Sequence, residues 1–177
     1  MNFIRCFVSI DIPREIQYKI KKIQDDLPEF YGKRTELNNL HLTLKFLGEI
    51  DEGVLEKIKN KLKKIKFKKF KVEIDSLGFF SEKFIRIIWL HIRGVENLQK
   101  RVDDALNNLL GTEERFMSHL TIARVKKINY RKRFLKDFKK IKITKLEFTV
   151  KDFRLKKSIL KEKGPVYEDI KKYYLKP

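Results

Sequence analysis

The chain has 177 residues, 42% of them apolar and 38% charged, which excludes a disordered polypeptide and fits one sizeable domain or two small lobes sharing a core. No apolar run nears the roughly 20 residues that span a bilayer, and a single cysteine, Cys6, excludes an intramolecular disulfide. Lys and Arg number 43 against 24 Asp and Glu, a net charge of +19 that favours a polyanionic partner such as nucleic acid, although lysine runs such as KIKNKLKKIKFKKFK also read as solvated helix faces.

In chain order, FIRCFVSIDI (3–12) alternates and is rich in aromatic and β-branched residues, so it reads as a strand with Cys6 as a reduced core residue. The leading MNFIRCFVSIDIP lacks a small-residue cleavage site and does not read as a signal peptide, which makes a cytoplasmic protein without a membrane segment the expectation. Ile16, Ile20, Ile23 and Leu27 recur at helical spacing over 14–27, with Pro13 suited to the first turn. A strand is expected over 40–47. Asp51 then caps a helix with Val54, Leu55, Ile58, Leu62 and Ile65 on one face. Residues 69–77 alternate as a strand.

The same order recurs. FIRIIWLHI (84–92) predicts a strand, and Val95, Leu98, Val102, Ala105 and Leu109 predict a helix over 95–110 that Gly111 closes. A strand is predicted over 117–125, a short helix around 130–139, and a returning strand over 146–155. Gly164–Pro165 marks a turn before a last short segment. HLTL at 41–44 and HLTI at 119–122 lie 78 residues apart, and Phe70, Val72 and Leu77 map onto Phe148, Val150 and Leu155 at the same offset. We read an internal duplication, approximately 3–77 and 84–155 with an extension over 156–177, inside a single domain 1–177.

Strand alternation puts His41 and Thr43 on one face, with Leu42 and Leu44 on the other, and separates His119 and Thr121 from Leu120 and Ile122 in the same way. Two equivalent strands would bring the His/Thr faces together across a cleft. One neutral histidine can accept a proton from a nucleophile while a charged one donates to a leaving oxygen, and threonine hydroxyls can bind the oxygens of a phosphate. Neither a metal nor a cofactor is expected, since zinc would need three or four clustered ligands. Lys45 falls on the His/Thr face of a regular strand and could see an anion, with a solvated lysine as the plainer reading. Arg124 falls on the opposite face from Thr121 unless a bulge intervenes. His91 has no threonine two residues on and reads as structural. Phe79 and Phe80 could stack on a base, with a core role ranked ahead.

The stretches RCFVSIDIP, NLHLTLKFLGEI, RIIWLHI, SHLTIARV and KKSILKEKGPVYE, spread over nearly the whole chain, resemble the RNA 2′,3′-cyclic phosphodiesterases, also called 2′-5′ RNA ligases, of the two-histidine phosphoesterase superfamily. The resemblance implies an α+β fold, a bilobal pseudo-twofold duplicate with two antiparallel sheets flanking a central cleft and helices outside. It implies hydrolysis of 2′,3′-cyclic phosphate ends of RNA to 2′-phosphates, with His41 as proton donor, His119 as proton acceptor, and Thr43 and Thr121 on the phosphate. ATP-independent 2′-5′ joining of RNA belongs to the same family. A small cyclic nucleotide or ADP-ribose cyclic phosphate as substrate, and a non-catalytic RNA-binding module, stay open. A monomer is the default.

Overall fold

A computed structural model describes residues 3–162 and 164–177; Met1 and Asn2 of the expected non-signal N-terminus, and Lys163 beside the expected Gly-Pro turn, lie outside the described residues. In chain order the elements are β1 (Ile4–Asp11), α1 (Arg14–Asp25), β2 (Tyr31–Arg34), a short 3₁₀ turn (Leu37–Asn39), β3 (His41–Ile50), α2 (Glu52–Lys63), β4 (Phe70–Phe79), β5 (Ile87–Arg93), α3 (Glu96–Leu110), β6 (His119–Lys127), α4 (Arg131–Phe138), β7 (Leu146–Val150), β8 (Asp152–Lys161) and β9 (Gly164–Tyr174). Local chemistry sets the boundaries. Pro13 precedes α1 as its N-cap, and the Asp51 carboxylate accepts from the Val54 backbone N–H at 2.9 Å to open α2. Gly111 ends α3 with φ 75°, a conformation that costs a glycine little.

The strands form two sheets in the orders β3-β1-β8-β9 and β2-β6-β5-β4-β7, with every strand pair antiparallel. The α+β class and the paired sheets agree with expectation. Each sheet buries one apolar row, including Leu42 and Leu44 of β3 and Leu120 and Ile122 of β6. Two helices reach across to the opposite sheet: α1, which follows β1, touches β6, and α3, which follows β5, touches β3 and α2. This exchange ties the two sheets together through their outer layers.

Three expectations change. The strand predicted over 146–155 breaks at Lys151; its first part, β7, pairs with β4, and its second, β8, pairs with β1 in the other sheet. The segment after Gly164 is not short, because β9 runs eleven residues against β8 and Gly164 already pairs with Lys161. The third is β2, absent from the sequence reading.

β2 edges β6 at close quarters. Gly32 has φ 156°, and a Cβ there would lie 2.1 Å from the Arg124 carbonyl oxygen. Gly32→Ala is therefore expected to cost about 1–3 kcal/mol through overpacking against backbone. Urea unfolding would measure it, and an unchanged midpoint would mean that β2 simply slides away.

Candidate active site

A β-bulge shapes each histidine strand. In β3, Val8 pairs with Lys45 and Ser9 with Thr43, leaving Leu44 as the extra residue. In β6, Ile88 pairs with Ala123 and Trp89 with Thr121, leaving Ile122 extra. A bulge shifts the alternation by one residue. Phe46 and Arg124 consequently join the faces of His41/Thr43 and His119/Thr121, while Lys45 and Ala123 turn inward. The carbonyl of the bulged Ile122 accepts from the Thr35 backbone N–H and from Gln24 Nε2, both at 2.8 Å. A buried glutamine of α1 thus holds the kink that aims Arg124.

One cleft of about 740 Å³ between the sheets is lined by His41, Thr43, His119, Thr121 and Arg124, with Phe46 at its edge. The structure brings together the two expected tetrads and Arg124. The expectation for Lys45 is corrected: its side chain is 5% exposed, away from the cleft, in an ion pair with Asp103. Its Nζ also donates to Gly111 O at 2.8 Å, and Asp103 accepts from the Glu113 N–H at 3.0 Å. The bulge, which strict alternation could not register, turned the ammonium into the core. There it clamps β3 to the end of α3 and to the loop leading into His119.

The two imidazoles are anchored alike. Nδ1 of His41 lies 2.7 Å from Asn39 O, and Nδ1 of His119 lies 2.9 Å from Met117 O, in each case the carbonyl two residues upstream. A carbonyl only accepts, so each Nδ1 carries a proton and each Nε2 is left to the cleft, an acceptor when the ring is neutral and a donor when it is charged. Their surroundings differ. His41 packs against Phe7 and Tyr167, both ring centroids 4.9 Å away, and burial pushes its pKa below the ordinary value, against the hydrogen bond to Asn39 O. His119 instead meets Phe80 edge-on at 5.0 Å.

Phe79 and Phe80, ranked together as core residues, part company. Phe79 packs on Phe138 in the core, whereas Phe80 is 53% exposed beside His119. His91 has the structural contact expected of it, with Nδ1 2.8 Å from Asp75. Sequence reasoning missed Phe7, Phe46 and Tyr167. It also missed a charge cluster beside His41: Asp11, opposite His41 in the sheet, pairs with Arg154 at 2.7 Å and Lys156 at 3.0 Å, and both cations also reach Asp169. The signal for Phe46 was present, since it lies 78 residues before Arg124. Among the described residues no group of three or more His, Cys, Asp or Glu could hold a metal ion, and no helix is long and apolar enough to cross a membrane.

A fold of two antiparallel sheets around a cleft has known counterparts. A family model described as LigT-like phosphoesterase matches residues 10–89 and again 91–167, and the chain belongs to that family. It is 37% identical over 175 residues to the RNA 2′,3′-cyclic phosphodiesterase of Methanocaldococcus jannaschii, covering 96% of this chain and 100% of the relative. It is 34% identical to the protein of the same name from Archaeoglobus fulgidus, covering 95% and 98%. Among solved structures, TT0787 of Thermus thermophilus superposes with a TM-score of 0.80 at 27% identity, covering 97% of both chains. Escherichia coli LigT complexed with 3′-AMP shares the fold at a TM-score of 0.81 and 23% identity, covering 99% of this chain and 100% of that one.

Proposed function

We propose that this protein hydrolyses 2′,3′-cyclic phosphates at RNA 3′ ends, leaving a 2′-phosphate, by proton transfer between two histidines without a metal or other cofactor. The observation that carries the reading is the pair of Nε2 atoms left to one cleft by matching Nδ1 anchors. Water attacks phosphorus opposite O3′. His119 Nε2 takes the water's proton, the P–O3′ bond breaks, and His41 gives its proton to O3′. Thr43, Thr121 and Arg124 hold the non-bridging oxygens, where charge develops in the transition state. Phe46, 69% exposed at the cleft, offers a ring to the terminal base. The matched bulges and the two matches of one family model support the duplicated unit over 3–77 and 84–155 within a single domain. We place the protein in the cytoplasm as a monomer, with the +19 charge drawing RNA to the cleft.

The test is product analysis on an oligonucleotide ending in a 2′,3′-cyclic phosphate, with and without EDTA. A 2′-phosphate is expected at equal rates in both. A 3′-phosphate, or loss of turnover in EDTA, would sink the reading.

The lowered pKa of His41 sharpens the mechanism. In the free protein at neutral pH, burial holds His41 neutral, yet its proposed role needs a proton. A bound phosphate anion supplies the missing favourable charge, so binding raises the pKa of His41 and takes a proton from solvent. The His119→Ala variant should bind a 2′,3′-cyclic mononucleotide without turnover. The cyclic diester does not titrate near neutrality, so net proton uptake above the free pKa of His41 is expected. Calorimetry in buffers of different ionisation enthalpy measures it. Binding with no uptake would remove His41 as the donor.

A further inference from the structure

The cleft-facing row of β5 does not end at the cleft. Ile87, Trp89 and His91 alternate with the buried Ile88, Leu90 and Ile92. Trp89 lies directly opposite Thr121 and His91 directly opposite His119, so both share the reactive face of β6 and extend it sideways. On the far side, Gly78 of β4 pairs with Trp89, and a Cβ there would lie 2.5 Å from the indole. The glycine lets the indole lie close over the backbone of β4. Phe80 stands at the end of this row, 5.8 Å from Trp89 and 5.0 Å from His119. Asp75 fixes His91 and also accepts from Arg93 at 2.7 Å, and the Arg93 side chain is 66% exposed. The row therefore runs from the exposed Phe80 and the half-buried Trp89 to an exposed cation.

We propose that Phe80 and Trp89 form a stacking shelf for the nucleoside that carries the attacking 5′-hydroxyl of a second RNA. This rests on the assignment of His119 as proton acceptor. A displacement at phosphorus brings the nucleophile in roughly opposite the leaving oxygen. O3′ leaves beside His41, where Phe7, Phe46 and Tyr167 already provide an aromatic wall for the nucleotide being opened. A nucleophile that is part of an RNA must enter from the other side, and the shelf is the aromatic surface there. Its composition suits a nucleic acid end: two rings for a base, with the exposed Arg93 at the far end of the same row for a following phosphate. The 5′-hydroxyl loses its proton to His119 as its oxygen bonds to phosphorus, the P–O3′ bond breaks, and O3′ takes the proton of His41. The product is a 2′-5′ phosphodiester, the cyclic ester supplies the driving energy, and no nucleotide triphosphate is consumed.

Trp89 is the one tryptophan of the chain, so its fluorescence reports on the shelf directly. The probe is a dinucleotide with free 5′- and 3′-hydroxyls. Saturable quenching of Trp89 is expected, and it should persist when saturating nucleoside 2′-phosphate fills the cleft. Phe80→Ala should weaken dinucleotide binding about tenfold, the scale of one base–aromatic stack. Phe80→Leu, which keeps apolar bulk without a ring face, should weaken it similarly and lower the ratio of ligated to hydrolysed product by the same factor. Quenching by the nucleoside 2′-phosphate that the dinucleotide then reverses would assign the shelf to the opened nucleotide and overturn the proposal. So would an absence of quenching, or a Phe80→Leu variant with unchanged partition. Failure to open any cyclic phosphate would sink the reaction proposed above, whereas quenching is read without turnover and judges the shelf alone.

Discussion

Replacing His119 with alanine is expected to slow turnover of a cyclic-phosphate-ended RNA by about 10²–10⁴, the usual contribution of one positioned proton transfer. His41→Ala should cost a similar factor. Both rings stand at the cleft, and the core rows of their strands are the intervening leucines and isoleucines, so unfolding should change little. The pair acts on one displacement, and the double variant should therefore fall well short of the product of the two losses. The pH dependence should separate them. Wild-type kcat/KM is expected to be bell-shaped, and each single variant should lose one limb. Near wild-type rates in either variant, with no change of profile, would remove two-histidine catalysis.

The second large effect concerns stability. Asp103→Ala is expected to cost about 3–5 kcal/mol, because it strands the Lys45 ammonium in a dry site. The pair's side chains are only 5% and 7% exposed, and the loss would also release the Glu113 N–H, leaving Gly111 O as the remaining partner of Lys45. Lys45→Met combined with Asp103→Leu should recover most of the loss, since an apolar pair of similar volume needs no desolvation of charge. Urea unfolding of the three variants measures both numbers. A cost below about 1 kcal/mol for Asp103→Ala would mean that water reaches the ammonium. Because this clamp sits on the loop entering His119, Asp103→Ala should also raise KM for substrate below the unfolding transition.

How legible the molecule was follows from which forces act locally. The helices announced themselves through apolar spacing and caps: Ile16 and Ile20, Leu55 and Ile58 with Asp51, Leu98 and Val102 with Gly111. The two tetrads were legible because alternation and a shared offset are both properties of a one-dimensional string. The break at Lys151 left only a faint trace, a slip of the buried row from Leu146, Phe148 and Val150 to Phe153 and Leu155, while the change of partner from β4 to β1 that makes it a break is a long-range fact. β2 was hidden because all four of its residues are exposed, and nothing but its pairing with β6 makes it a strand. Phe80 and Phe79 look identical in sequence, yet one lies past the end of β4 and the other in its row against Phe138. Tyr167 reaches His41 from a hairpin more than a hundred residues away, a contact with no local trace.

The bulges at Leu44 and Ile122 have a consequence for how this chain tolerates a change of length. Each is a surplus residue that shares the inward face with its successor. Losing the codon for either would close that bulge and restore strict alternation from the histidine to the cleft residue beyond it, with Lys45 or Ala123 still inward and Phe46 or Arg124 still at the cleft. The cost would be one core side chain and, at Ile122, the carbonyl that Thr35 and Gln24 hold. A codon lost at Leu42 or Leu120 meets no such slack. The histidine and threonine would become neighbours in the chain, and one of them would have to leave the cleft face. Beside the two histidines, the bulges are where these strands can shorten without turning a cleft side chain away.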